Sequence, residues 1–176
     1  DTIYVGGKFS LAGGLPTKGI AKWNNAWTGL DLGVNGTVYA IKKHNNNLYA
    51  GGSFSTTSKG ITVNNIAKYS DNTWTSLTNG VNGTVYAIEE FQNKIYIAGN
   101  FTGVNNSSIK NIAVWDGTQL NGIENCCNGT IKSLLSVDSA LIIGGSMSLL
   151  NNSNVKNLLW FSGSTFVIGD MGFPNA

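Results

Sequence analysis

Short runs of apolar or alternating apolar and polar residues are separated along this chain by clusters of Asn, Gly, Ser, Thr and Asp, which is the pattern of strands and turns. Between positions 38 and 77 the runs are 38–41, 48–54, 66–69 and 74–77. Residues 42–47 and 70–73 read as tight polar turns joining the first and last pairs, and 55–65 as a longer loop joining the middle pair. No segment carries apolar residues at helical spacing over ten residues. The pattern predicts four short antiparallel strands in this stretch.

The same stretch recurs. Tyr4-Val5-Gly6-Gly7-Lys8-Phe9 returns as Tyr49-Ala50-Gly51-Gly52-Ser53-Phe54, as Tyr96-Ile97-Ala98-Gly99-Asn100-Phe101 and as Ile142-Ile143-Gly144-Gly145-Ser146-Met147, at offsets of 45, 47 and 46 residues. Ile20-Ala21-Lys22-Trp23 is echoed at Ile66, Ile112 and Leu158, 46 residues apart each time. Trp27, Trp74, Leu120 and Phe166 form a third landmark, and Asn35-Gly36-Thr37-Val38-Tyr39-Ala40-Ile41 a fourth, repeated from Asn82 and from Asn128. Four antiparallel strands every 46 residues describe an all-β fold, a β-propeller of four-stranded blades.

The expected units are about 1–37, 38–84, 85–130 and 131–176, with the first lacking its innermost strand. Three full blades and one incomplete blade are expected to belong to a larger propeller, with association with another chain and four-blade closure as the alternatives. The glycine pairs fall on the second strand, where neighbouring blades face each other and a missing side chain lets backbones approach; Phe9, Phe54 and Phe101 fill the space beside them.

Composition narrows the function classes. Hydrophobic residues make up 41% of the 176 residues, but charged residues only 11%, against roughly 25% in a typical soluble domain. There are 24 Asn, and all eleven basic residues are Lys. With a net charge of +2 and no basic run beyond Lys42-Lys43, nothing offers the dense positive patch that phosphate backbones require, so nucleic acid is not an expected partner. No apolar stretch reaches the length of a membrane span. The weakly charged, amide- and hydroxyl-rich surface leans toward an extracytoplasmic setting.

The run Ile-Tyr-Val-Gly-Gly-Lys-Phe, then Ile-Ala-Lys-Trp-Asn, then Gly-Val-Asn-Gly-Thr-Val-Tyr-Ala-Ile, resembles the repeat of the fungal cortical cell-polarity marker proteins, and similar repeats occur in surface proteins of bacteria and protists. The resemblance covers all four units. It implies a glycosylated, surface-exposed propeller that takes part in cell polarity. The pair Trp115-Asp116 is no sign of WD40 repeats: its counterparts are Trp23-Asn24, Tyr69-Ser70 and Phe161-Ser162, and Asp116-Gly117 reads as a turn.

Candidate chemistry is sparse. His44 is the only histidine and falls in a polar turn, without a second His or Cys to build a nucleophile–base pair or a metal site. Glu89 and Glu90 are the only adjacent acids, and neighbours on a strand point to opposite faces. No catalytic residue, metal ligand or cofactor is expected. Cys126-Cys127 stands where Gly33-Val34 and Gly80-Val81 stand in other units. Free thiols, pairing with cysteines elsewhere and a strained vicinal disulfide are all compatible with it. Seven sequons, at Asn35, Asn82, Asn100, Asn105, Asn106, Asn128 and Asn151, are candidate N-glycosylation sites; composition accounts for about four. At Asn35, Asn82 and Asn128 the Asn-Gly-Thr turn explains the residue without a glycan.

The long loops 10–19, 55–65, 102–111 and 148–157 differ in sequence while the strands repeat. Loops on a rigid scaffold carry recognition. The expected function is a non-catalytic extracellular or cell-surface module or scaffold that recognises a protein or glycan, in polarity or adhesion. Two other readings are a structural component of a filament, sheath or virion surface, and a lectin-like sugar binder.

Overall fold

The computed structural model describes residues 1–124, 126, 128–147, 149–150, 153–154 and 157–168. Among them there is no helix, and the chain folds as consecutive antiparallel sheets. The first stretch contributes β1 (Ile3–Gly6), a small hairpin of β2 (Leu11–Ala12) and β3 (Leu15–Pro16), then β4 (Ile20–Trp23) and β5 (Trp27–Gly29). Strands β1-β4-β5 form a three-stranded sheet 1. Sheet 2 follows as β6 (Thr37–His44), β7 (Asn47–Ser53), β8 (Ile66–Ser70) and β9 (Thr73–Ser76), in chain order across the sheet. Sheet 3 repeats this order with β10 (Thr84–Phe91), β11 (Lys94–Asn100), β12 (Ile112–Trp115) and β13 (Leu120–Gly122). The last stretch holds β14 (Gly129–Val137), β15 (Ala140–Met147), a hairpin of β16 (Leu149–Leu150) and β17 (Ser153–Asn154), β18 (Leu158–Phe161) and β19 (Phe166–Ile168), with β14-β15-β18-β19 as sheet 4.

The four-stranded antiparallel units read from the sequence are present, with one difference at the first hairpin. β6 runs through Lys43 and His44, which pair with Leu48 and Asn47, and leaves only Asn45-Asn46 as the turn. The backbone ladder continues past the apolar run because pairing needs no apolar side chain.

Two local devices recur in the repeat. On the innermost strand the register slips by one residue: Val38 opposes Gly52 but Ala40 opposes Gly51, Val85 opposes Gly99 but Ala87 opposes Ala98, and Ile131 opposes Gly145 but Ser133 opposes Gly144. Tyr39, Tyr86 and Lys132 are the extra residues of these β-bulges. Just before the third strand stands a left-handed residue, Gly19, Asn65, Asn111 or Asn157, with φ of 70, 68, 65 and 64°. Its carbonyl accepts the N–H of Gly7, Gly52, Gly99 or Gly145 at 3.0–3.1 Å, which closes the long loop onto the second strand. Gly and Asn are the residues that take this conformation at low cost.

The core lies between successive sheets. Leu48, Ala50 and Trp74 of sheet 2 pack with Ile20 and Leu30 of the first unit, whereas Tyr49 and Ile66 pack with Val85, Ile95 and Ile97 of sheet 3. A third cluster joins Phe91, Tyr96 and Ile112 of sheet 3 to Ile131, Leu141 and Ile143 of sheet 4. Sheet 2 is thus buried on both faces, which is why β7 reads as an almost unbroken apolar run. The first glycine of the first two pairs sits in this contact: a Cβ at Gly6 would lie 2.7 Å from Val38 Cγ1, and one at Gly51 would lie 3.0 Å from Ile88 Cδ1. Trp74 is fully buried, and its indole Nε1–H donates to the Leu30 carbonyl at 2.7 Å, so the one polar atom of that ring is satisfied.

Candidate recognition surface

The loops between second and third strands gather around the links that join one sheet to the next. The link at 33–35 is bonded on both sides: Val34 N–H donates to Lys18 O at 2.9 Å, Asn35 N–H donates to Thr56 O at 2.9 Å, and Gly33 O accepts from Ser58 N–H at 2.9 Å. The link at 80–82 repeats the arrangement. Val81 N–H donates to Asn64 O at 3.0 Å, Asn82 N–H to Gly103 O at 3.1 Å, and Asn105 N–H to Gly80 O at 3.0 Å. Each of these two links is therefore a short segment held between the loops of the two sheets it connects. An ion pair between Lys59 and Asp31 adds a second tie between the first two units.

Asparagine side chains complete this stitching. Asn35 Oδ1 accepts the N–H groups of Ser55 and Thr56 at 3.0 and 3.1 Å, and its Nδ2 donates to Ser55 Oγ at 3.1 Å. Asn82 does the same one repeat later, accepting from Thr102 N–H at 2.9 Å and donating to Thr102 Oγ1 at 3.1 Å. Asn64 and Asn65 donate to the carbonyls of Asn79 and Val81, both at 2.9 Å. These amides fix the loops against the links. What they leave between sheets 2 and 3 is a polar groove of about 510 Å³, lined by Asn64, Asn79, Asn82, Thr102, Asn105 and Ser107 among others. The corresponding position between sheets 1 and 2 is a pocket of about 390 Å³ beside Lys8, Ser10, Lys18 and Asn35.

The candidate glycosylation positions fall into two groups. Asn35 and Asn82 are the clasps just described. Asn100 ends β11 and is exposed; Asn105 and Asn106 form the tip of a tight turn closed by Val104 and Ser107, with φ of 46 and 68°. Positive φ at both central residues is the type I′ geometry that Asn tolerates. Asn128 is exposed, and Asn151 lies outside the described residues.

A second cluster was invisible in the sequence. The bulge residues Tyr39 and Tyr86 meet at 5.5 Å between ring centroids, and Lys132 Nζ lies 3.6 Å from the Tyr86 centroid. Lys42 pairs with Glu89 across the same two innermost strands, β6 and β10. The bulges turn one residue per sheet out of the ladder, so that positions about one repeat apart stack on one another. The recurrence of Tyr at 39 and 86 was the available signal, but strict strand alternation hides the direction of a bulged side chain.

The remaining candidate residues serve the backbone. His44 is half-buried at the end of β6, with Nε2 3.0 Å from Asn45 Nδ2. Besides Lys42, Glu89 accepts the Glu90 N–H at 3.1 Å, while Glu90 accepts the N–H of Asn93 at 2.8 Å, so the two acids turn to different partners. Asp116 Oδ1 accepts from Thr118 N–H, Thr118 Oγ1–H and Gln119 N–H, each at 2.8 Å, and the N–H donors of this turn hold its carboxyl down to a pKa of about 2. Cys126, standing where Gly33 and Gly80 stand, is buried in the core between sheets 3 and 4; Cys127, and with it the pairing of the two, lies outside the described residues. Among the described residues no group of three His, Cys, Asp or Glu converges on a point, and no helix is long and apolar enough to cross a membrane. No family model matches this chain, and no curated protein matches it.

Proposed function

We propose that the four sheets are blades of a β-propeller with about 46 residues per blade, and that the chain is a non-catalytic extracellular or cell-surface segment whose loop face recognises a protein or glycan partner. The observation that carries the reading is the contrast between the two ends of the repeat. Strand residues are reused from sheet to sheet, while the loops of different sequence are collected on one side and locked there by Asn35, Asn82, Asn64 and Asn65. A pre-ordered polar surface loses little entropy when it binds, and its amides and hydroxyls match the donors and acceptors of a peptide backbone or a sugar. The resemblance to the cell-polarity marker repeats supports a surface location, with exposed Asn100 and Asn106 as carriers of N-glycan.

The test is binding of the labelled chain to the surface of the source cells, compared between two exposed positions on opposite ends of the repeat. Asn106→Lys with Ser108→Glu alters the loop face, and Asn46→Glu alters the far hairpin. The reading expects binding to be lost in the first variant and kept in the second. Equal binding by both, or none by the unaltered chain, would overturn it.

A further inference from the structure

Equivalent points of the repeat differ in chemistry where the loops flank the links. The N–H groups of Val34 and Val81 donate to the carbonyls of Lys18 and Asn64, and the carbonyls of Gly33 and Gly80 accept from Ser58 and Asn105, so these positions correspond. Beside the first link, Lys18, Leu32 and Lys59 stand where Asn64, Asn79 and Asn106 stand beside the second. The fold therefore accepts cations and an apolar residue at places where the groove between sheets 2 and 3 has only amides. That composition is not a demand of the repeat.

Six asparagines line the groove together with Thr102, Ser107 and Ser108, and none of the described residues lining it is charged or aromatic. Its volume of about 510 Å³ lies within the roughly 300–1,000 Å³ of small-ligand clefts. The side chains of Asn64, Asn65, Asn82 and Ser107 are bonded to the surrounding loops and links. Those of Asn79, Asn105, Asn106 and Ser108 make no hydrogen bond to another described residue. The turn that carries three of them is itself held, by Asn105 N–H on Gly80 O and by Val104 and Ser107 on each other. The lining offers no carboxylate to a cation and no lysine to an anion. A peptide would need a free strand edge or an apolar anchor. Here Val81 N–H, Gly80 O and Asn82 N–H are already paired, and Val81, the apolar lining residue, is 1% exposed.

We propose that the groove between sheets 2 and 3 binds a neutral sugar, whose hydroxyls meet the free amides of Asn79, Asn105 and Asn106 and the hydroxyl of Ser108. Each sugar hydroxyl both donates and accepts, and a planar amide presents an acceptor beside two donors, which matches a pair of neighbouring hydroxyls. The inference rests on recognition by the loop face and names the ligand class of that face. Two sources share this chemistry: a glycan on a partner, and an N-glycan on Asn106 of the chain itself, which lines the groove.

The test is an array of oligosaccharides, neutral ones built of hexose and N-acetylhexosamine and acidic ones bearing sialic acid or sulfate, probed with the chain made in a host that adds no N-glycan. Neutral members should bind, and calorimetric titration with the best of them should show affinity about tenfold weaker for Asn79→Leu and for Asn106→Gly, the size of one lost hydrogen bond. Both positions are exposed, and glycine keeps the positive φ of Asn106, so the circular dichroism spectrum should not change. Asn46→Glu, on the far hairpin, should bind as the parent does. The chain carrying a glycan on Asn106 separates the sources: retained array binding assigns the groove to an outside glycan, and lost binding to its own. Absence of binding to every neutral member, a preference for acidic ones, or binding that neither groove variant weakens would overturn the proposal. Cell-surface binding lost with Asn106→Lys and Ser108→Glu but without any sugar binding overturns the sugar and spares loop-face recognition; no binding of either kind overturns both.

Discussion

The abundance of asparagine has a backbone cause. Of the sixteen described non-glycine residues with positive φ, ten are Asn and three are Asp, at hairpin tips, loop closures and links. An amide side chain eases the left-handed conformation by local hydrogen bonding, so this fold draws heavily on Asn wherever Gly is not used. The clasp residues add a second role. Asn82→Ala should lower unfolding free energy by about 1 kcal/mol, the net value of an ordinary hydrogen bond, and Asn82→Asp by less, since the acceptor is kept. Chemical denaturation measures both; an alanine variant as stable as the parent would show that the clasp contributes nothing. Asp116 offers a titration. Its carboxyl is held near 2 against an ordinary 3.8, so the charged form is favoured in the folded chain. The turn contribution is complete above the ordinary value and is lost as pH falls through the folded one. An NMR titration should place the Asp116 midpoint near 2, and Thr118→Val, which removes the hydroxyl donor, should raise it; a midpoint at 3.8 would contradict the hydrogen-bond account.

At the scale of the element, the first glycines of the first two pairs are demanding positions. Gly51→Val would drive two methyl groups into Val85 and Ile88 of the next sheet, whereas Gly60 has open space where a Cβ would stand. The expected loss is about 3 kcal/mol at Gly51, at the upper end for overpacking, against about 1 kcal/mol of backbone strain for Gly60→Ala. Thermal unfolding ranks the two, and equal losses would mean that the sheets do not meet at Gly51. This contact was legible in the sequence because glycine recurs at a position where a strand otherwise prefers a branched side chain. The strands themselves were legible for the same reason: four apolar landmarks keep one period. The bulges and the left-handed closures were not. A bulge changes no residue type, and the closure position alternates between Gly19 and the asparagines at 65, 111 and 157, which look unlike although their φ values agree. The ion pair of Lys42 with Glu89 and the stacking of Lys132 on Tyr86 join different repeats, so only the packing of one sheet on the next brings them together.

At the scale of the molecule, the proposed recognition follows from repetition. A rigid series of sheets gives every loop a fixed place, and the loop face can vary in sequence while the strands cannot. The central claim is that successive sheets are related by one repeated rotation about a common axis, as propeller blades are. Spin labels at Asn46, Asn93 and Ser139, equivalent exposed positions in sheets 2, 3 and 4, test this by pulsed electron resonance, with Cys126 and Cys127 replaced by Ala. The account predicts equal distances for 46–93 and 93–139, and a distance for 46–139 clearly shorter than twice either. Unequal neighbour distances, or a 46–139 distance equal to the sum of the other two, would contradict it.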